Sequence, residues 1–600
     1  MKMQKLYSIT YPCKDVAKAD ELYFRGKKCA IDPSTKKVVI PIGQSLNTCT
    51  YYNTFSLEKW SKYTSLSSLY LKLKIEGNCR IDIYTKYLIA GDYLDKQLET
   101  VVRTDKQHED LILNLSPYIS LPGLLYFEVT ALDSQCAFFS GEYLTDEDFN
   151  LPNIGIVICT YKREPYIKKF IENFALSECS QNLYAFIADN GNSLPTELNN
   201  DRIFIFKNKN YGGAGGFTRG MLEIKKYNKM SDSSIQYILL MDDDIVIDFH
   251  IFERLTSFIA LKKPGYENYF IAGGMCSLDY PFLQYERSAS WRGNQFIQLG
   301  ANLDLRETNA IVLNEREDQL KHCSAGWWFS CFSEKMITPN NYPFPCFFRG
   351  DDMEFTIRNG ANIITMNGLN VWHEPFYKKY SIVSESYYLY RNSLVINALY
   401  LPEFGFKATI QYLFKRFAVN LVTYDYESAA LLLRAWRDYC KGMDFFLTTN
   451  PEELNTELYK FNHKLQPISE VIPEYRFIDI ESDIYRKADK NKWHSFIRHI
   501  TINGFLIPKC FYHSFDFALV GFGARYINFY KVKNVFNFDP FSKKGYYTHV
   551  SKKKAIHLIL QFIQQTFYYR KNFNKIQSDY QRNFHKIQTE EFWKRYLDIQ

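Results

Sequence analysis

Three consecutive carboxylates, Asp242, Asp243 and Asp244, follow directly on the apolar run ILLM at 238–241. Packing three like charges at the end of a buried segment is costly in desolvation and repulsion unless a cation or a substrate meets them there. Asp242 and Asp244, two positions apart, can share one hard divalent cation, and Mg2+ or Mn2+ held this way keeps coordination positions for phosphate oxygens. A solvated turn is the plain alternative. Asp248 lies beyond the apolar IVI and suits the N-cap of a helix over FHIFERLTSFI. A second acidic pair, Asp351 and Asp352, stands in FFRGDDMEFTIRNG, where a helix start would put one carboxylate at a cap and leave the other facing a cleft as a proton acceptor. His373, between Trp372 and Glu374, is either a satisfied core histidine or a further metal ligand. Trp327 and Trp328 in AGWWF are either core or a ring face offered to a sugar. The glycine-rich NYGGAGGFTRG at 210–220 opens a helix whose amides could approach a diphosphate, but it is neither a P-loop nor a dinucleotide fingerprint, and a flexible turn explains it equally.

Such groups act only if the chain brings them to one place. IGIVICT is a continuous apolar run suited to a strand buried on both faces, and REPYIKKFIENFALS then repeats apolar residues at helical spacing. The strands NLYAFIADN and RIFIFKN, the helix GFTRGMLEIKKYN and the strand IQYILLMD continue the alternation, which predicts an open, mostly parallel α/β sheet. Ligands of such sheets sit at the carboxyl ends of the strands. Thr160, Asp189, Asn210 and the 242–244 triplet all fall at those ends, so they should converge on one crevice. Before this region, LYLKLKIEG, CRIDIYTKYL and LLYFEVTAL are short, partly alternating runs that predict an antiparallel β-sandwich over 1–148, with 145–153 as a linker. The α/β domain then covers 149–380, and mostly helical periodicity fills 381–600, with an irregular stretch around Pro467 to Pro473.

Six hundred residues exceed what one hydrophobic core supports. The 46% hydrophobic and 23% charged content is that of globular protein, while the 17% aromatic share fits either codon bias or surfaces that grip rings and sugars. Thirteen cysteines without a C-x-x-C pair argue against a disulfide framework and a zinc ribbon, and point to a reducing cytoplasm. With no apolar leader and no run of 18 apolar residues, the chain is expected neither to be exported nor to span a membrane. The net charge of +7 is uneven: residues 521–600 hold 15 Lys and Arg against 5 Asp and Glu, a balance of +10, so the remainder carries −3. In that tail Lys552, Lys553 and Lys554 precede AIHLILQFIQQTFYY, a pattern for an anionic lipid surface or for a solvated basic helix. No motif supports nucleic acid as a partner.

Eight segments, CTYKRE, ADNGN, NYGGAGGFTRG, LLMDDDI, AGGM, AGWWF, FFRGDDMEF and VWHEPF, occur in the order found in family 2 glycosyltransferases. Together they resemble the galactan-polymerising galactofuranosyltransferases, which use UDP-galactofuranose. The resemblance covers roughly 150–380 and implies a GT-A-type (Rossmann-like) catalytic domain between the sandwich and the helices. It implies that Asp242, Asp244 and His373 are ligands of a divalent metal, Mn2+ or Mg2+, that holds the UDP diphosphate. Arg163, Asp189, Asn190 and Asn210 fall to the nucleotide, with Asn190 standing where that family carries glutamine. Glu286, in YERSAS, falls to the donor sugar. Asp243 belongs to the same nucleotide-sugar region, although alternation turns it away from its two neighbours. Asp352 matches the general base of an inverting displacement, and Asp351, Trp327 and Trp328 line the acceptor. The implied acceptor is a lipid-linked glycan of cell-surface polysaccharide synthesis, handled at the inner face of the membrane, with a homo-oligomer left open. A transferase of rhamnose or of a hexopyranose, or a non-catalytic carbohydrate-binding protein, are the competing expectations.

Overall fold

The computed structural model describes residues 3–104, 110–318, 320–374, 381–471, 492–512, 518–521, 526–539 and 542–599. The chain forms two compact units: Met1–Phe344 with Asp351–Pro375 and Gln588–Gln600, and Pro345–Gly350 with Phe376–Ile587.

The first unit begins with two antiparallel sheets. In one, strands run in the order Ala30–Asp32, Lys37–Ile40, Cys136–Thr145, Tyr70–Glu76 and Leu111–Asn114, with Gln4–Ser8 also on Cys136–Thr145. The other runs Ser45–Asn47, Leu124–Ala131, Cys79–Ile89 and Asp92–Arg103, with Phe55–Ser56 also on Leu124–Ala131. Leu71, Leu73 and Ile75 alternate inward along one strand and Ile81 and Ile83 along another, as period-two burial requires. Alternation also predicts a wet Asp82, and there the structure differs. Asp82 is buried, because the long neighbouring strand covers it and supplies hydrogen bonds from Gln97 (3.1 Å) and Thr100 (2.7 Å), while Arg80 donates from its own strand at 2.8 Å.

The interior runs without a break from these sheets into the α/β part. Trp60 stacks on Phe55 at 5.2 Å and meets Phe258 of the helix Ile251–Ala260 edge-on at the same distance. Tyr23 donates to Asp248 at 3.0 Å. Asp248 is buried and accepts from His250 N at 3.0 Å, three residues ahead of the first helical position, so that His250 and not Asp248 takes the N-cap position.

The expected α/β order is observed. Strands Ile203–Lys207, Leu183–Asp189, Ile154–Thr160 and Tyr237–Asp242 lie side by side, all parallel, and Ser330–Ser333 then continues the sheet antiparallel. Beyond it come Phe270–Ser277, Leu283–Glu286 and Leu303–Asp304. The long strand Ile363–His373 pairs parallel with Phe270–Ser277 and, at its end, antiparallel with Ile245–Val246. The central strand Ile154–Thr160 is buried almost throughout, as a continuous apolar run in a parallel sheet should be.

The second unit is mainly helical, with helices Leu389–Tyr400, Phe406–Val422, Tyr426–Tyr439, Pro451–Tyr459 and Lys552–Asn583 among them. It also holds a four-stranded sheet, in the order Gln466–Pro467, Lys544–His549, Asn534–Asp539 and Ala518–Gly521, which helical periodicity gave no sign of. Pro467 is part of that sheet, and Pro473 lies outside the described residues. Residues 588–600 belong to the first unit. Glu590 N donates to Pro339 O at 2.7 Å, and the Trp593 indole donates to Pro343 O at 2.8 Å.

Candidate functional site

The strand Tyr237–Asp242 ends in register with Ile154–Thr160, Cys159 opposite Asp242, and Thr160 is in turn opposite Asp189. The chain then makes a tight turn into Ile245–Val246, where Ile245 pairs with His373. This turn separates the three acids. Ligand atoms of Asp242, Asp244 and His373 all lie within 4.8 Å of one another. Asp243 points elsewhere and accepts from Thr160 Oγ1 at 2.8 Å and from Arg163 Nη1 at 2.6 Å.

His373 is 2% exposed and Asp244 4%, while Asp242 is half-buried, so the cluster has a closed back and one open side. His373 Nδ1 is 2.5 Å from the carbonyl oxygen of Glu374, which can only accept, so Nδ1 carries a proton. Nε2 then faces Asp244 Oδ1 at 3.3 Å and Asp242 Oδ2 at 3.7 Å. A backbone acceptor fixing one ring nitrogen while the other meets two carboxylates is the arrangement of a metal-binding histidine. Two hard oxygens with one imidazole suit a Mg2+- or Mn2+-class ion.

Charge is balanced locally. Arg163, at the start of helix Glu164–Leu176, also reaches Asp244 Oδ2 at 2.9 Å. Burial opposes its charge, but Asp243 and Asp244 hold its pKa above the ordinary value. Burial pushes the Asp243 carboxyl up, and Arg163 offsets part of this. The buried Cys159 thiol is driven well above its usual range, first by loss of solvent and then by Asp243, Asp242 and Asp351, which shows how much negative charge meets at this strand end.

Asp351 and Asp352 open the helix Asp351–Arg358. Asp352 accepts from Met353 N through Oδ1 at 2.7 Å. Asp351 faces the glycine-rich helix, where a Cβ on Gly213 would lie 3.4 Å from its Oδ2. Desolvation, then the neighbouring Asp352 charge, and more weakly Asp242, push the Asp351 carboxyl up to about 8.

The glycine segment 212–220 forms the first turns of helix Gly212–Met230, and its glycines have a packing role. A Cβ at Gly216 would stand 2.1 Å from Cys159 Sγ, and one at Gly220 would stand 2.2 Å from Val157. Glycines four apart thus let this helix lie directly on the central strand and bring its start beside the acidic cluster. Asn190 is buried and holds the junction: it donates to Gly212 O at 3.0 Å and accepts from Asn208 at 2.8 Å. Asp189 accepts from the backbone of Gly191 (3.0 Å), Ser193 (2.7 Å) and Leu194 (2.8 Å). Both side chains therefore shape the loop after the strand. Asn210 is half-buried two residues before the helix.

The tryptophans divide. Trp327 is buried, edge-on to Phe217 at 5.0 Å and to Phe355 at 6.2 Å, and so wedges the glycine-rich helix against the Asp351 helix. Trp328 is half-buried and anchored through its indole to Gly273 O at 2.9 Å. Glu286 is buried at the end of its strand. Met275 pairs with both Glu286 and Val371, which places Glu286 in a cross-strand row two residues from His373.

Sequence analysis missed one contributor. Helix Glu590–Leu597 packs on the glycine-rich segment, with Tyr596 against Tyr211 at 4.8 Å, Leu597 over Gly215, and Asp598 paired to Lys209 at 3.5 Å. Its signal was available in Thr589 as an N-cap and in apolar Phe592, Trp593, Tyr596 and Leu597 at helical spacing.

Residues 13–146 match the family model described as Galactofuranosyltransferase 2 N-terminal. Galactofuranosyltransferase GlfT2 of Mycolicibacterium smegmatis is 22% identical over 456 residues, which are 68% of this chain and 66% of that protein, so the match spans just under two thirds of the relative. The protein of the same name from Mycobacterium tuberculosis is 22% identical over 490 residues, 77% of this chain and 74% of its own. Among solved structures, the mannosyltransferase PcManGT from Pyrobaculum calidifontis, in complex with GDP-Man and Mn2+, aligns over 60% of this chain and 90% of its own at 10% identity and a TM-score of 0.28. The resemblance expected from the eight motifs is borne out in sequence, and the chain is galactofuranosyltransferase-like.

Proposed function

We propose that this galactofuranosyltransferase-like chain is an inverting, metal-dependent glycosyltransferase that moves galactofuranose from UDP-galactofuranose to a hydroxyl of a glycan carried on lipid. The observation that carries the proposal is the convergence of Asp242, Asp244 and His373 at the carboxyl end of a parallel sheet, beside a helix start and a second acidic pair. Asp242, Asp244 and His373 would hold the divalent ion, which when bound supplies positive charge to a diphosphate leaving group. Arg163 holds Asp243 and Asp244 in place. Asp189 and Asn190 act on the nucleotide through the loop and the helix start they fix, and Asn210 stands at that start to meet it. Glu286, Trp327 and Trp328 form the wall of the sugar region.

Of the acidic pair, Asp351 keeps its proton to about pH 8, so Asp352 is the member that takes the proton of the acceptor hydroxyl as that oxygen bonds to the anomeric carbon. The glycosidic C–O bond to UDP breaks in the same displacement, which inverts the anomeric centre. Mass spectrometry of products formed from UDP-galactofuranose and a synthetic lipid-linked glycan tests the proposal. Metal-dependent addition of one hexose mass or more, with UDP released, is the expected result. Turnover confined to another nucleotide sugar would replace the donor assignment, and UDP release from none would leave a carbohydrate-binding protein.

A further inference from the structure

The strand Ile363–His373 ends on the candidate metal ligand His373, and it does not run straight there. It pairs with Phe270–Ser277 as far as Ala272 opposite Thr365, and pairing resumes with Gly274 opposite Asn370. Four residues, Met366 to Leu369, thus stand against Gly273 alone, a bulge of three extra residues. Its effect is on register. Unbroken pairing would bring Asn370 opposite Ser277, whereas the partner observed is His373. Because three is an odd number, the bulge also exchanges the two faces of the strand.

A bulge leaves backbone groups without ladder partners, and here side chains take them. Asn367 O accepts from Arg254 Nη1 at 2.5 Å and Asn367 N donates to the Glu315 carboxylate, while Leu369 O accepts from the Tyr51 hydroxyl at 3.2 Å. Arg254 also donates to Tyr52 O, and Tyr52 OH donates at 2.5 Å to Oδ1 of Asn370, the residue at which pairing resumes. Gly368, within the bulge, has φ +76°, and a Cβ there would lie 1.5 Å from Arg254 Nη1. Tyr51, Tyr52 and Arg254 are all buried, and the Tyr52 ring packs on Tyr23 at 4.3 Å and, at 6.0 Å, on Trp372, the neighbour of His373. Both tyrosines come from the N-terminal sheets, in the link between strands Ser45–Asn47 and Phe55–Ser56. Across the bulge, Gly273 O takes the Trp328 indole, so the same irregularity seats a residue of the sugar wall.

We propose that Tyr51, Tyr52 and Arg254 are positioning residues for metal binding: they fix the bulge that delivers His373 Nε2 to Asp244 and Asp242, and so give the N-terminal sheets a part in the metal site. They act through the strand and not on the substrate. The proposal rests on the reading of Asp242, Asp244 and His373 as that site, and goes beyond it in naming what sets the histidine. Groups that orient a ligating imidazole from outside typically change metal affinity about 10- to 100-fold.

Calorimetric titration of the full chain with Mn2+, without donor or acceptor, tests this. Tyr51→Phe/Tyr52→Phe keeps both rings and removes only the two hydroxyls, and Mn2+ affinity should fall about tenfold or more. The Mn2+ concentration for half-maximal transfer should rise by the same factor, while kcat at saturating Mn2+ stays within a few fold. Tyr11→Phe is the control, because its hydroxyl serves Phe139 O at 3.0 Å in the same sheets and not the bulge. It should lower the melting temperature and leave Mn2+ affinity unchanged. Gly368→Ala, which crowds Arg254 from the side of the bulge, should repeat the loss of affinity. Wild-type Mn2+ affinity in the double variant overturns the proposal while the metal reading stands. Equal losses in the double variant and in Tyr11→Phe also overturn it, since they would mark a general loosening of the fold. A wild-type chain that binds no Mn2+ overturns the metal reading and this proposal together.

Discussion

Two clusters in this protein have nearly the same composition and opposite prospects. Asp242, Asp244 and His373 in the first unit, and Asp425, Glu427 and His463 in the second, each offer two carboxylates two residues apart and one imidazole within 4.8 Å. In the second cluster every member already has another task. Asp425 caps helix Tyr426–Tyr439, accepting from Ser428 N at 3.0 Å and Ser428 Oγ at 2.7 Å. Glu427 pairs with Lys554 at 3.3 Å, and the His463 ring stacks on Tyr546 at 3.8 Å. In the first cluster Arg163 bridges Asp243 at 2.6 Å and Asp244 Oδ2 at 2.9 Å, and a backbone carbonyl holds His373 Nδ1 so that Nε2 faces Asp244 and Asp242. Ligand types and spacing are therefore a weak criterion. What separates a site from a structural knot here is where the donor atoms stand: at strand ends, where a fold of this kind leaves room for a ligand, and not at a helix cap.

Mutation should separate the two sharply. Asp244→Ala should remove the divalent-ion requirement together with UDP binding and lower transfer roughly 10^3-fold or more, the scale of several kcal/mol of lost charge stabilisation. An ion requirement that survives in Asp244→Ala would erase the contrast. Asp352→Asn should lower turnover about 10^2- to 10^4-fold while UDP affinity, read by calorimetry, stays within a few fold. Equal loss of both would move the proton acceptor elsewhere.

Smaller effects follow from the carboxyls themselves. Because folding raises the Asp351 pKa to about 8, the native state holds that proton longer than the unfolded chain, and stability falls as pH rises from the ordinary carboxylate range to about 8. Asp351→Asn should therefore melt like wild type near pH 4 and several degrees higher at pH 8, and a constant difference across that range would contradict the assignment. Burial alone would raise the Asp425 carboxyl, but the bonds from His463 and Ser428 hold it below its ordinary value. Its contribution is thus present at neutral pH and lost as pH falls through the carboxylate range. Asp425→Ala should cost about 1 kcal/mol of stability at neutral pH, as loss of an N-cap does, with transfer unchanged.

Much of this was legible before any coordinates. Apolar runs fixed the strand Ile154–Thr160 and its parallel neighbours, and alternation separated Asp243 from Asp242 and Asp244. Asp82 escaped alternation because the long strand paired beside it, with Thr100 directly opposite, covers it. The tasks of Asp189 and Asn190 escaped as well, since a carboxylate that accepts three backbone amides and one that meets a ligand look alike in sequence. The four-stranded sheet of the second unit is built from short pieces, and its two-residue strand Gln466–Pro467 pairs with Lys544–His549 far along the chain, so no local periodicity announces the whole. On Lys552–Asn583 the cations and apolar residues could be read, but not which apolar residues the rest of the unit would cover.

The return of residues 588–600 to the first unit sets a timetable for synthesis. Tyr211 and Gly215 leave the ribosome nearly four hundred residues before Tyr596 and Leu597, the side chains that cover them. At ~5–20 residues per second, the glycine-rich turn waits ~20–80 s for its last layer. During that interval the glycine-rich turn lacks the cover that Tyr596 and Leu597 give it. A cover made this late leaves the first unit unfinished until the second unit has been synthesised.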